Sequence, residues 1–248
     1  MHWSYQADIK IWVKKNLPST HVIDHQIILL HDALGSIPQW KNFPEQLAEQ
    51  LQAEVILYER QGHGRSSPLP SERSPDFFHQ EALEVLPAFI ESHQLQEAIL
   101  LGHSDGATIA LLYAAHFNPP GVVAIAPHIF VEDITLRGIS KATLVKDKLV
   151  NKLRKYHGDK AEKLFNAWAD TWLDPQFRSW TIQQELAGIS CPLLLIQGAK
   201  DEYGSIHQLT GIQEAVPHAQ IQLLPGLEHF PQFESPFDIL QKIRAFLE

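Results

Sequence analysis

Cysteine is nearly missing from this sequence: one residue, Cys191, stands among 248, so there is no internal disulfide and no CxxC metal or redox motif. Basic charge is also scarce. Twenty Lys and Arg face 29 Asp and Glu, a formal charge of −9, which disfavours nucleic acid and anionic membrane as partners. No apolar run approaches the roughly 18 residues of a membrane span. The opening Met1-His-Trp-Ser-Tyr-Gln-Ala-Asp8 lacks the basic and apolar regions of a signal peptide. Repeats and low-complexity linkers are missing too. Although the chain has 14 histidines, no His/Cys/Asp cluster has metal-ligand spacing. The expectation is a cytoplasmic protein, monomer or homodimer, without metal or other cofactor. Cys191, which precedes Pro192 and an apolar run, is expected to be a buried residue leading into a strand rather than a reactive thiol.

What is present is a rhythm of apolar runs. At 44% hydrophobic residues, 248 positions suffice for one domain with room for an inserted subdomain. The stretches at 26–31, 55–58, 98–101, 122–126, 192–196 and 221–224 read as strands, several of them apolar throughout, as strands buried on both faces must be. Trp40, Phe43, Leu47 and Leu51 have helical spacing. Ser74-Pro75 predicts a helix start, with Ser as N-cap and Pro at the first helical position, and Pro87 predicts a kink before the helix ends near His93. Residues 7–13 alternate as a half-buried strand would, with 21–24 as the expected hairpin partner. Strands alternating with helices imply an α/β class with a mainly parallel sheet covered on both sides. The rhythm breaks between Glu132 and Ile189, where only helical stretches rich in Lys, Leu and Trp occur. The expected organisation is therefore a core of 1–131 and 190–248, with 132–189 as a helical insertion over the sheet's carboxyl edge.

At the centre lies Gly102-His103-Ser104-Asp105-Gly106, between the 98–101 strand and a helix expected over 107–115. This is a G-x-S-x-G sequence in a strand–turn–helix setting, the arrangement that pushes a serine oxygen out of a sharp turn. The helix that follows aims its N-terminal amides and positive dipole end at the serine, where negative charge would develop. A serine hydroxyl needs an adjacent base, itself oriented by a carboxylate. In open α/β sheets such groups gather in loops beyond the carboxyl ends of strands. The loop after 192–196 offers Asp201 and Glu202, and the loop after 221–224 offers His229. His31, His63, His103 and His128 also lie near strand ends, as structural or pocket-lining residues.

The order Ser104, Asp201, His229 resembles that of the α/β-hydrolase family. Five segments carry the resemblance: His31-Asp-Ala-Leu-Gly-Ser36, Arg60-Gln-Gly-His-Gly-Arg-Ser-Ser67, the serine turn, Gly198-Ala-Lys-Asp201, and the stretch from Gly226 to Pro236. The resemblance implies an α/β-hydrolase fold with a mostly parallel eight-stranded sheet and a helical cap. It implies Asp201 rather than Glu202 as the acid, and backbone amides of Asp105 and Ala33 as the oxyanion hole. Two departures stand out: Asp32 where glycine is common, and Glu59 where aspartate is usual, the latter with no expected catalytic consequence. Within the family the chain looks most like the small carboxylesterases of the valacyclovir hydrolase, or biphenyl hydrolase-like, group. There the acidic residue after the nucleophile recognises a substrate amine. Carried over, Asp105, with Glu132 at the cap entrance, would select amino-bearing esters, a buried carboxylate wanting a countercharge. His128 and Trp168 are the remaining substrate-binding candidates, the cap tryptophans otherwise reading as core of the insertion. The implied activity is serine hydrolysis of a small-molecule carboxylic ester. Cofactor-free C–C bond hydrolysis of ring-cleavage diketones and a non-catalytic ligand-binding role are the alternatives.

Overall fold

Eight strands form one sheet, in the order β1-β2-β4-β3-β5-β6-β7-β8, in a computed structural model that describes residues 2–6, 9–19, 24–70 and 73–248. They are β1 (His2–Gln6), β2 (Ile9–Asn16), β3 (His25–Leu30), β4 (Ala53–Glu59), β5 (Ala98–His103), β6 (Val122–Ile125), β7 (Leu193–Gly198) and β8 (Gln220–Leu224). From β4 across to β8 every pairing is parallel, while β1–β2 and β2–β4 are antiparallel. The hairpin expectation needs correcting. β2 pairs with β1 on one side and β4 on the other, so the neighbour of the alternating strand precedes it; residues 21–23 lie outside the described set.

Side chains along a strand alternate between faces, so each apolar run feeds two cores. Ile28, Leu30, Ile56, Leu100, Val122, Ala124 and Leu195 join one; Ile27, Leu29, Val55, Leu101, Val123, Leu194 and Ile196 join the other. This double burial is why these strands carry no polar alternation. On the second face lie α1 (Phe43–Leu51) and the last helix. On the first lie α2 (Phe77–Gln80), α3 (Leu86–His93) and α4 (Asp105–Phe117).

The helix expected from Ser74 begins three residues later, with Asp76 as N-cap, while the Ser74 hydroxyl accepts the Asp76 amide at 3.1 Å. The kink expected at Pro87 takes the form of a π turn over Glu81–Val85, in which the Leu86 N–H reaches back to the Glu81 carbonyl. Proline has no N–H to bond the carbonyl four residues back, and the widened turn just ahead absorbs the mismatch.

The stretch 132–189 holds α5 (Asp133–Thr143), α6 (Lys146–His157) and α7 (Ala161–Leu173), with short 3-10 turns and, among its described residues, only one isolated bridge, Thr181 to Phe130. The chain then closes with α8 (Ile206–Ala215), the short α9 (Pro231–Glu234) and α10 (Pro236–Leu247). Cys191 is buried just before β7, and burial pushes its thiol up to about 11, which leaves it inert.

Register sets the position of the site. Leu30 lies beside Gly102, His103 beside Ile125, Ile125 beside Ile196, and Gly198 beside Leu224. The carboxyl ends of β3, β5, β6, β7 and β8 are therefore nearly level, and the loops at 31–36, 103–106, 126–131, 199–204 and 225–230 open along one rim.

Candidate active site

Ser104 sits in the turn between β5 and α4 with φ 53° and ψ −119°, a backbone conformation that non-glycine residues rarely adopt. The glycines on either side make the turn sterically feasible. A Cβ on Gly102 would lie 2.2 Å from the Gly106 carbonyl oxygen, and one on Gly106 would lie 2.1 Å from the Leu30 carbonyl oxygen. Neither position tolerates a side chain while α4 packs this closely on β3 and β5. The Ser104 amide is tied to the Ile125 carbonyl at 2.9 Å, and its own carbonyl accepts the Ala107 and Thr108 amides at 2.9 and 3.0 Å. The strained conformation is thus fixed from three directions.

The loops after β7 and β8 bring a carboxylate and an imidazole to this serine. His229 Nε2 stands 3.1 Å from Ser104 Oγ, and His229 Nδ1 stands 2.9 Å from both oxygens of Asp201. With the carboxylate at Nδ1, that nitrogen carries the proton and donates, leaving Nε2 to accept from the serine hydroxyl. All three side chains are buried. Asp201 Oδ1 accepts the Tyr203 and Gly204 amides at 2.8 and 3.1 Å, and Oδ2 accepts the Gln197 side-chain amide at 3.1 Å. Burial alone would raise the Asp201 carboxyl, but the His229 charge and hydrogen bond and the Tyr203 amide outweigh it and hold it well below the usual carboxylate range. Burial likewise pulls the His229 imidazole down, and the Asp201 charge and hydrogen bond outweigh that too, leaving it above its ordinary value. Glu202, the neighbouring carboxylate, is exposed.

Ala33 and Asp105, the two expected amide donors, line the same cavity as Ser104. Asp105 N–H begins α4, Ala33 N–H lies in the loop after β3, and neither has a protein acceptor among the described residues. The Ala33 loop is held mainly by its carbonyls. The Arg60 guanidinium donates to the His31 and Asp32 carbonyls at 2.6 and 2.8 Å, and the His63 ring donates to the Ala33 carbonyl at 3.0 Å. Asp32 fits where glycine is common because its carboxylate closes the turn, accepting the Leu34 amide at 2.8 Å and standing 3.6 Å from His103 Nδ1. Burial would raise this carboxyl; the His103 ring and the Leu34 amide outweigh it and hold it at about 2. His103 in turn donates from Nε2 to the His229 carbonyl at 2.9 Å, which joins the two sides of the site. Glu59 accepts the Ile37 and Arg65 amides at 3.0 and 2.7 Å and organises loops without reaching Ser104.

Asp105 is buried, and its countercharge is internal. Arg73 NH1 lies 3.9 Å from its carboxylate, and the same guanidinium stacks 4.4 Å over the Phe77 ring. Burial pushes the Asp105 carboxyl up while Arg73 pulls it back.

Ser104, Asp105, His229 and Ala33 face a cavity of about 90 Å³, whose walls include His128, Trp168, Trp172 and Tyr203. His128 is buried without a partner at Nδ1, and burial lowers its imidazole to about 3, so it is a neutral polar group on an apolar wall. Of the expected substrate-binding residues, Asp105, His128 and Trp168 line this cavity. Glu132 does not. Its carboxylate accepts Ser205 Oγ and N at 2.5 and 2.9 Å and Gln208 Nε2 at 2.8 Å, so it is spent on anchoring the start of α8. The residues that escaped the sequence reading are Arg73, Gln197 and the pairing of His103 with Asp32. Gln197 lies one residue before the end of β7 and carries no motif; Arg73 has no local signal at all.

The chain resembles known proteins over most of its length. It is 25% identical over 222 residues to the human serine hydrolase BPHL, covering 83% of this chain and 73% of that protein. It is 23% identical over 253 residues to the mouse sn-1-specific diacylglycerol lipase ABHD11, covering 89% and 80%. Among solved structures, the enol-lactonase from Burkholderia xenovorans superposes with a TM-score of 0.79 at 15% identity, covering 99% of each chain. The model of the alpha/beta hydrolase family matches residues 27–241, and with that span, this sheet and this strand order the chain belongs to the alpha/beta hydrolase family.

Proposed function

We propose that this chain is a serine hydrolase that cleaves small, uncharged carboxylic esters through an acyl-enzyme. One observation carries the reading: an unbroken path from Ser104 Oγ through His229 to Asp201, at a cavity that Ala33 and Asp105 also line. His229 Nε2 takes the Ser104 proton as Oγ attacks the ester carbonyl carbon. The carbonyl oxygen becomes an oxyanion held by the Ala33 and Asp105 N–H groups. Asp201 keeps the imidazole in the accepting tautomer and stabilises its charged form. The imidazolium then returns its proton to the leaving alkoxide, and an alcohol departs. Water, deprotonated by the same nitrogen, attacks the acyl-enzyme, releasing the acid and restoring Ser104.

The walls favour a short apolar acyl group: Leu34, Ile139, Trp168 and Trp172 surround a space of about 90 Å³. We assign residues 132–189 as the cap, since Thr135 and Ile139 of α5 and both tryptophans of α7 roof the cavity. The cavity does not call for a substrate amine, because Asp105 already faces Arg73.

A screen of p-nitrophenyl esters of increasing acyl length, run beside Ser104→Ala, tests the reading. Turnover of the short esters, reduced about 10⁴–10⁶-fold in the variant, is the expected outcome. Undiminished turnover in Ser104→Ala, or none in the parent chain, contradicts it. An α-amino ester and its des-amino analogue are expected to share one kcat/KM.

A further inference from the structure

The net charge of −9 conceals a reversal within the molecule. Residues 133–163 carry nine Lys and Arg against four Asp and Glu, whereas the rest of the chain carries 11 against 25. The cations are not scattered. Along α6, Val150, Leu153 and His157 are buried, and the stripe on the opposite side of the helix is Lys148, Lys152 and Lys155, all exposed. Along α5, Thr135, Ile139 and Ala142 are buried, and Arg137 and Lys141 are exposed on the outer side. At the corner where the two helices meet, Leu144 is 84% and Val145 48% exposed.

Ordinary helix energetics do not explain this corner. Lys146 and Lys148 flank Asp147 in the first turn of α6, where the positive dipole end favours the aspartate and disfavours the two cations. Lys146 is matched by Glu162 at 3.2 Å, while the Lys148, Lys152 and Lys155 stripe has no acidic partner among the described residues. A leucine in water at a protruding turn costs solvation and gains no packing.

We propose that the α5–α6 corner is a docking surface for an anionic lipid membrane. Leu144 and Val145 would insert between headgroups, and Lys141, Lys148, Lys152 and Arg137 would lie against the anionic surface. Charge complementarity selects an acidic partner. The apolar tip selects a lipid surface over a nucleic acid, which offers the tip nothing to enter. The orientation follows from the same helix: α5 puts Thr135 and Ile139 on the cavity and its cations on the far side, so a docked membrane would lie directly over the roof of the site. The surface is independent of the chemistry at Ser104.

The test is co-sedimentation of the Ser104→Ala chain, which removes any hydrolysis, with phosphatidylcholine vesicles with and without phosphatidylglycerol. Binding to the phosphatidylglycerol vesicles, weakened by salt and at least several-fold stronger than to phosphatidylcholine alone, is the expected result. Leu144→Asp with Val145→Asp should weaken it about tenfold or more. Lys148→Glu with Lys152→Glu should weaken it by about fivefold or more for each cation lost. All four positions are surface residues outside the candidate site, so thermal unfolding and p-nitrophenyl ester turnover of the same substitutions in the parent chain should not change. Binding to neither vesicle, equal binding to both, unchanged binding in either double variant, or capture of a single-stranded RNA in place of vesicles would overturn the proposal.

Discussion

The two sides of Ser104 use acidic residues in opposite ways. On the imidazole side, Asp201 is meant to be felt: it has two backbone amides and one side-chain amide to hold it charged, and its field raises His229. On the amide side, Asp32 and Asp105 flank the very N–H groups where negative charge would develop, and there a carboxylate must be silenced. Each has its own cationic or imidazole neighbour, His103 at 3.6 Å and Arg73 at 3.9 Å. The comparison teaches that an anion beside the proposed oxyanion pocket is tolerable when its countercharge is built in.

The largest way to break the imidazole side is Asp201→Asn. The ring then loses its tautomer-fixing acceptor, and kcat for a p-nitrophenyl ester should fall about 10⁴-fold with the fold intact by circular dichroism. On the amide side the weak point is Arg73. Arg73→Met leaves Asp105 buried without its cation and should destabilise the chain by about 3 kcal/mol in urea unfolding. Combining it with Asp105→Asn should recover most of that loss in a double-mutant cycle; strict additivity would show that the pair is not coupled. A finer probe is pH. The base must be unprotonated in the free enzyme, and His229 sits above the 6.5 of an ordinary imidazole. For a neutral ester, kcat/KM should therefore rise with pH through a midpoint above 6.5, and that midpoint should move down in Asp201→Asn. The smallest effect belongs to Glu132→Gln, which weakens the Ser205 and Gln208 contacts. It should cost about 1 kcal/mol of stability and leave kcat/KM within about twofold.

The same contrast separates what could be read in the sequence from what could not. Ser104, Asp201 and His229 stand in loops directly after apolar runs, and period and order alone bring them to one rim. The glycines around Ser104 are legible for the same reason, since only close backbone approach demands them. Asp32 was visible as a departure, but its acceptance depends on His103, 71 positions away, whose ring faces it only because β3 and β5 are paired in register. Arg73 comes from a polar, proline-rich connection with no pattern. Glu132 was misread because its position at the start of the helical stretch says nothing about which way the carboxylate turns; Ser205 and Gln208, more than 70 residues on, decide that. The net charge is a total and is likewise blind to where the lysines gather.

The account stands on the reactivity of one hydroxyl, and covalent labelling reads it directly. A fluorophosphonate probe added to the parent chain should increase the intact mass by one adduct, map to Ser104 by peptide sequencing, and slow sharply in His229→Ala. A labelling rate unchanged in His229→Ala, or an adduct that maps away from Ser104, would contradict it.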